Sequence, residues 1–238
     1  MFSRVLSLAC LLLKQALNMP RRERIFGEGI TYHVTSQCNN GDFLFQQTRD
    51  FVLFLNYLKK AKDKFGFDLH AYQVMQNHVH LIIKTNETAY LNVIMHWLCH
   101  SFAELYNKIY ERKGHFWRDR YKAKIINNDL YGLACLRYIH RNVLEAGMVE
   151  QIENWPWNCY SHYAFGAENN LITPMPTYLG LANENKSRQE IYRKWVKTPL
   201  ISKKTEGHLF ESKAKSNSIR QKRIISKELK PVLAKLAT

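Results

Sequence analysis

Residues 68–84, DLHAYQVMQNHVHLIIK, read as two strands folded back on each other. The runs 68–75 and 78–84 are rich in β-branched, aromatic and aliphatic side chains, and only Gln76-Asn77 is left between them for a tight reversal. Along an extended strand successive side chains point to opposite faces, so His78 and His80 project together while Val79 and Leu81 project the other way. One face packs, and the other presents two imidazoles. Held side by side on a rigid strand, two neutral imidazoles are ligands for a divalent metal, with coordination positions left over for a substrate. A His-x-His pair alone is more often structural, so the rest of the chain has to decide.

Outward from this hairpin the pattern is regular. Residues 29–36 (GITYHVTS) alternate as a strand. Residues 48–65 carry Phe51, Leu55, Leu58 and Phe65 at helical spacing and stop at Gly66. Residues 89–110 repeat that period through Leu91, Ile94, Met95, Leu98, Phe102, Leu105 and Ile109, with Lys113-Gly114 closing the segment. Residues 121–126 form a short strand, and Asn127-Asn128-Asp129 offers N-caps for a helix over about 130–144 with Gly147 past its end. The order β-α-β-β-α-β-α predicts an α+β, ferredoxin-like antiparallel sheet with two helices on one face and an extra C-terminal helix. That fold hosts many functions and specifies none.

The chain has 238 residues, enough for one domain with additions at its ends. Lys and Arg number 35 against 20 Asp and Glu, a net charge of +15 and a pI near 9.6, which favours a polyanionic partner. The 13 tyrosines, 12 phenylalanines and five tryptophans interleaved with the cations suit stacking on unpaired bases, so nucleic acid is preferred to a membrane surface. Five widely spaced cysteines with no C-x-x-C pair argue against a disulfide framework and a Cys-based zinc site, and fit a reducing, cytoplasmic setting. Residues 1–18 hold an apolar run from Val5 to Leu13 without a small-x-small cleavage site, too short to span a bilayer. They are expected to be a mis-assigned upstream extension, with translation starting at Met19. Residues 155–165 (WPWNCYSHYAF) read as an aromatic clasp, 166–200 as loop with a short packing helix, and 201–238, with ten Lys and Arg against three Glu, as a flexible basic arm.

The extra helix contains Tyr138 and Asn142, four apart and therefore one turn apart on one face. A phenol placed to attack phosphorus and an amide placed to complete a metal shell would reach a bound phosphate together. Arg118, Arg120, Lys122 and Lys124 alternate along a strand-like run and are expected to meet backbone phosphates, with Arg137 beside them. His33, His70, His115 and His140 are assigned no catalytic role.

These stretches resemble the HUH-type tyrosine transposases, specifically the insertion-sequence-200-like family and its REP-associated branch. The matching runs are Met19-Pro20-Arg21-Arg22, GITYHVTS at 29–36, FDLHAY at 67–72, MQNHVHL at 75–81, GHFW at 114–117, RYIHRN at 137–142 and WPW at 155–157, in the family's order. The resemblance implies an HUH endonuclease domain over 19–165 that cleaves and rejoins single-stranded DNA through a 5′-phosphotyrosine. It implies Tyr138 as nucleophile, His78 and His80 as metal ligands with Asn142 as the third, and Mg²⁺ or Mn²⁺ as cofactor. Single-stranded or hairpin DNA is the implied partner, a homodimer exchanging tyrosine helices is a possible assembly, and neither a membrane nor a small-molecule substrate is expected. A non-catalytic hairpin-binding protein and a nuclease using water are the competing readings. Gln76 stands where many relatives have Pro, and Asn142-Val143 where they have Asn-Pro, which permits a longer last turn.

Overall fold

A computed structural model describes residues 25–198. The expected extension 1–18 and basic arm 201–238 lie outside the described residues. Strand β1 is Thr31–Gln37, followed by helix α1 (Thr48–Phe65), strands β2 (Asp68–Val74) and β3 (His78–Lys84), helix α2 (Leu91–Ile109), strand β4 (Lys122–Ile125) and helix α3 (Asp129–Glu145). The strands form one antiparallel sheet in the order β2-β3-β1-β4, the arrangement expected of the ferredoxin-like pattern. Three short or peripheral helices follow, α4 (Tyr160–Phe165), α5 (Pro176–Leu179) and α6 (Asn185–Lys197).

Local chemistry sets the boundaries. Gly66, at φ 67°, takes the left-handed conformation that ends α1. At the start of α1 the Asp50 carboxylate accepts from the Gln46 and Gln47 backbone N–H groups at 3.0 and 2.8 Å. The Asn128 side chain accepts from Tyr131 N–H at 2.9 Å and caps α3. With no proline after Asn142, α3 continues to Glu145 before Gly147 turns at φ 66°. Segment 89–110 forms a slightly shorter helix than its periodicity suggests, and α2 ends at Ile109, ahead of Gly114. The run 118–124 is a strand only from Lys122 onward.

The alternation of β1 settles what each sheet face meets. Ser36 reaches Cys99 of α2 (3.8 Å), so the α1 and α2 layer covers the face of Val34 and Ser36. There Phe45, Phe54, Phe102 and Phe116 interlock, with Phe102 fully buried and 5.0–5.4 Å from the other three rings. The opposite face, carrying His33, Thr35 and His80, is covered by α3, whose Asn142 bonds to His80. The WPW run closes one end: Trp155 donates to Val74 O at 2.9 Å, and Trp157 stacks on Phe51 at 4.8 Å.

Candidate active site

Strand β3 is central in the sheet and its first residue is His78. Asn77 in the preceding turn donates its amide to Gly41 O at 3.3 Å, which points its carbonyl oxygen at His78 Nδ1, 2.6 Å away. His78 therefore carries its proton on Nδ1 and keeps a lone pair on Nε2. Burial pushes its basicity down to about 4, so it is neutral near pH 7.

His80 lies two residues on, 4 % exposed. The rings of His78 and His80 are 4.9 Å apart and nearly perpendicular. His80 Nδ1 faces Thr35 Oγ1 and His33 Nε2, each at 3.1 Å. Its Nε2 receives the Asn142 amide at 2.8 Å. Burial, reinforced by the neighbouring His78 and His33, holds His80 well below the ordinary imidazole value. Tyr138, one turn before Asn142, sets its ring edgewise to His80 at 5.6 Å and to His33 at 5.9 Å. One chain thus brings together Tyr138 and Asn142 from α3 with His78 and His80 from β3.

Strand pairing adds His33, to which the sequence pattern alone assigns no role. It stacks on His80 with ring centres 5.3 Å apart and is 5 % exposed. Burial and the nearby Lys124 push it down to about 3. The signal that could have found it is the parity of β1: His33 and Thr35 share a face, and antiparallel pairing sets Thr35 against His80.

The donor set fits a divalent cation. Among the described residues no three His, Cys, Asp or Glu side chains are grouped to hold a metal, so a third protein donor beside His78 and His80 would be of another type, such as an amide, hydroxyl or carbonyl oxygen. Asn142 is the amide beside them: its Nδ2 donates to His80 Nε2 at 2.8 Å, and as a ligand it would have to turn its Oδ1, the oxygen that hard divalent cations take, toward the ion. Both histidines are neutral, as ligation requires.

The cations separate into three positions. Lys122 and Lys124 pair with Thr35 and His33 across β1, which puts them on the site's face of the sheet. Arg118 is exposed, with its backbone N–H on Gln37 O at 2.9 Å, and Gln37 pairs with His78. Arg120 lines a separate groove of about 1140 Å³ along α2, between Trp97, His100 and Trp117. Arg137 does not fit the expected contact with DNA. It is 3 % exposed, its guanidinium lies 5.2 Å from the Trp195 ring, and it donates to Thr198 O at 2.5 Å. Its face of α3 meets α6, because Arg137 is one residue off the Tyr138 and Asn142 stripe.

The rest of that outer face is a brace. Arg141 donates to Val196 O at 2.6 Å and pairs with Glu145 at 2.8 Å. His140 bonds through Nδ1 to Tyr192 Oη at 2.6 Å and through Nε2 to Cys159 Sγ at 3.2 Å. Burial lowers His140 to about 3 and raises Cys159 to about 12, so this buried couple is neutral and structural rather than a nucleophile with its base.

The "transposase IS200-like" family model matches residues 28–142. A solved structure of the REP-associated tyrosine transposase bound to a REP hairpin is similar, with a TM-score of 0.54 and 19 % identity over 66 % of this chain and 99 % of that one. A crystal structure of a candidate transposase from Deinococcus radiodurans R1 gives a TM-score of 0.37 and 15 % identity, over 57 % of this chain and 98 % of that one. No curated protein matches the chain. Among the described residues no helix is long and apolar enough to cross a membrane.

Proposed function

We propose that the chain, whose residues 28–142 match the IS200-like transposase family model, cleaves and rejoins single-stranded DNA with Tyr138 as nucleophile. The observation that carries this reading is the meeting of Tyr138 and Asn142 with His80 inside one chain. His78, His80 and Asn142 would hold Mg²⁺ or Mn²⁺, which when bound supplies charge neutralisation and orientation of the phosphodiester.

The remaining work belongs to the protein. Helix α3 fixes the Tyr138 ring edgewise against His80, so the phenol is held in place before the strand arrives. Tyr138 Oη forms a bond to phosphorus as the bond from phosphorus to the 3′ oxygen breaks. The phenolic proton passes to solvent water, and the departing oxygen takes one from solvent to become a 3′-hydroxyl. The 5′ phosphate remains on the tyrosine, and attack by a 3′-hydroxyl reverses the reaction without ATP because the ester bond is conserved. Arg118, Lys122 and Lys124 border this face and would neutralise flanking phosphates. The similar REP-associated enzyme was solved with a hairpin, and we infer a hairpin-bearing single strand as the partner here.

Purified full-length protein incubated with a labelled single-stranded hairpin end and Mg²⁺ is expected to give a covalent protein–DNA adduct. An adduct that survives Tyr138→Phe overturns the assignment. Binding without cleavage would instead identify a non-catalytic hairpin-binding protein, and cleavage without an adduct a nuclease using water. For the phosphate-binding role, Arg118→Gln is expected to flatten the slope of log affinity against log salt by about 0.7 for each phosphate no longer neutralised; an unchanged slope removes Arg118 from the interface.

A further inference from the structure

His33 occupies a position that ordinary packing would give to an aliphatic residue. It lies mid-strand in β1, paired on one side with Ile82 and on the other with Lys124, and is 5 % exposed. A neutral imidazole in such a place costs free energy unless its polar nitrogens are satisfied. Its Nε2 is directed at His80 Nδ1 at 3.1 Å, and its ring touches both His80 and Tyr138. A histidine kept only for core packing would not need to meet both the imidazole assigned to the cation and the phenol assigned to the phosphate.

We propose that His33 is a positioning residue of this site, which fixes the tautomer of His80 and the rotamer of Tyr138. The inference rests on the reading of His80 and Tyr138 given above. With the Asn142 amide turned as it is, nitrogen toward His80, the proton count leaves one arrangement. Asn142 Nδ2 donates to His80 Nε2 at 2.8 Å, so that nitrogen carries a lone pair and the His80 proton is on Nδ1. That N–H points at Thr35 Oγ1 and His33 Nε2, both 3.1 Å away. A hydrogen on His33 Nε2 would confront the one on His80 Nδ1, so His33 holds its proton on Nδ1 and offers Nε2 as an acceptor. Thr35 and His33 thereby keep the His80 Nε2 lone pair turned toward Asn142, the outer-sphere role that a ligating histidine needs. The same ring, 71° to that of Tyr138, limits how far the phenol can swing.

The test uses the full chain and three readouts. Imidazole nitrogen NMR of the wild type is expected to show His80 and His33 both protonated at Nδ1; a proton on His33 Nε2 overturns the proposal, and this measurement needs no variant to fold. Mn²⁺ affinity, from the electron paramagnetic resonance signal of free Mn²⁺, is expected to weaken about 10- to 100-fold in His33→Phe, which keeps the ring but not the acceptor. His33→Gln, which restores an acceptor near the Nε2 position, is expected to recover most of that affinity. A folded His33→Phe that binds Mn²⁺ as the wild type does overturns the positioning role. Adduct formation separates the two readings: wild type that forms no Tyr138 adduct fails the proposed function, whereas wild-type adduct with unperturbed Mn²⁺ binding in His33→Phe fails this inference alone.

Discussion

On the α1 and α2 side of the sheet, β1 contributes Val34 and Ser36 to a core of interlocked aromatic rings. On the α3 side, the same strand contributes His33 and Thr35 to a cluster of imidazoles, a phenol and an amide. Both faces are largely buried, yet the first buries carbon and the second buries groups that water would otherwise solvate. Burial of carbon contributes stability in proportion to area. Burial of polar groups returns little net stability even when they are paired, and costs when they are not. The pleat therefore separates what holds the chain folded from what equips it for chemistry, residue by alternate residue.

Single substitutions on the two faces should have opposite signatures. Tyr138→Phe is expected to reduce adduct formation by on the order of 10⁴-fold or more while leaving the melting temperature within a few degrees, because only one hydroxyl of a half-buried residue is removed. Phe102→Ala on the other face removes a ring that touches Phe45, Phe54 and Phe116. It is expected to cost about 3–5 kcal/mol in denaturant unfolding, with adduct formation per folded molecule unchanged. Were Tyr138→Phe to lower stability as much as Phe102→Ala, the separation of the faces would be wrong.

Acid should find the polar side first. His140 on the outer face of α3 is neutral in the fold, pushed to about 3 by burial, and is packed by Tyr160, Tyr163, Tyr192 and Cys159 with His162 nearby. An unfolded histidine titrates near 6.5. Its depressed folded value means that its contribution is present above pH 6.5 and declines as pH falls toward 3. At about pH 5 the decline amounts to about 2 kcal/mol relative to about pH 7 from this group. His33 and His78 act in the same direction, so the His140 share is the difference in acid slope between the wild type and His140→Gln. Identical slopes would mean that the His140 couple does not hold the helix.

Most of the fold was legible because its signals are local. Helical periodicity and Gly66 bounded α1 from its own sequence, and parity placed His78 and His80 on one face before any partner was known. Tyr138 and Asn142 were legible for the same reason, being one turn apart. His33 was not, because its place beside His80, 47 positions away in sequence, depends on β1 pairing with β3, and strand register is a property of two segments at once. Arg137 was misread because what covers it is α6, a separate segment whose packing on α3 no local pattern shows. A cation adjacent to Tyr138 in sequence looks like a DNA contact until the helix turns it about 100° toward Trp195.

The smallest expected effect gives the most direct measure of what the polar face costs. Gln73 on β2 pairs with His80 and shares its side of the sheet. It is fully buried, and neither end of its amide has a hydrogen-bond partner. An orphaned buried amide destabilises by about 1–3 kcal/mol, whereas an apolar side chain of similar length would have nothing to satisfy. Gln73→Met is therefore expected to raise stability by about 1 kcal/mol, read as a higher denaturant midpoint with an unchanged slope. An apolar exchange at a carbon-face residue such as Phe102, which has no polar group to satisfy, has no such gain to make. If Gln73→Met is destabilising, the amide has a partner in solution, an ordered water being the simplest, and the polar face is better satisfied than its hydrogen bonds indicate. If it stabilises but leaves adduct formation untouched, the orphaned amide is not part of the catalytic machinery. If it stabilises and slows the adduct, the unsatisfied group beside His80 is part of what the site uses, and stability on this face has been exchanged for chemistry one side chain at a time.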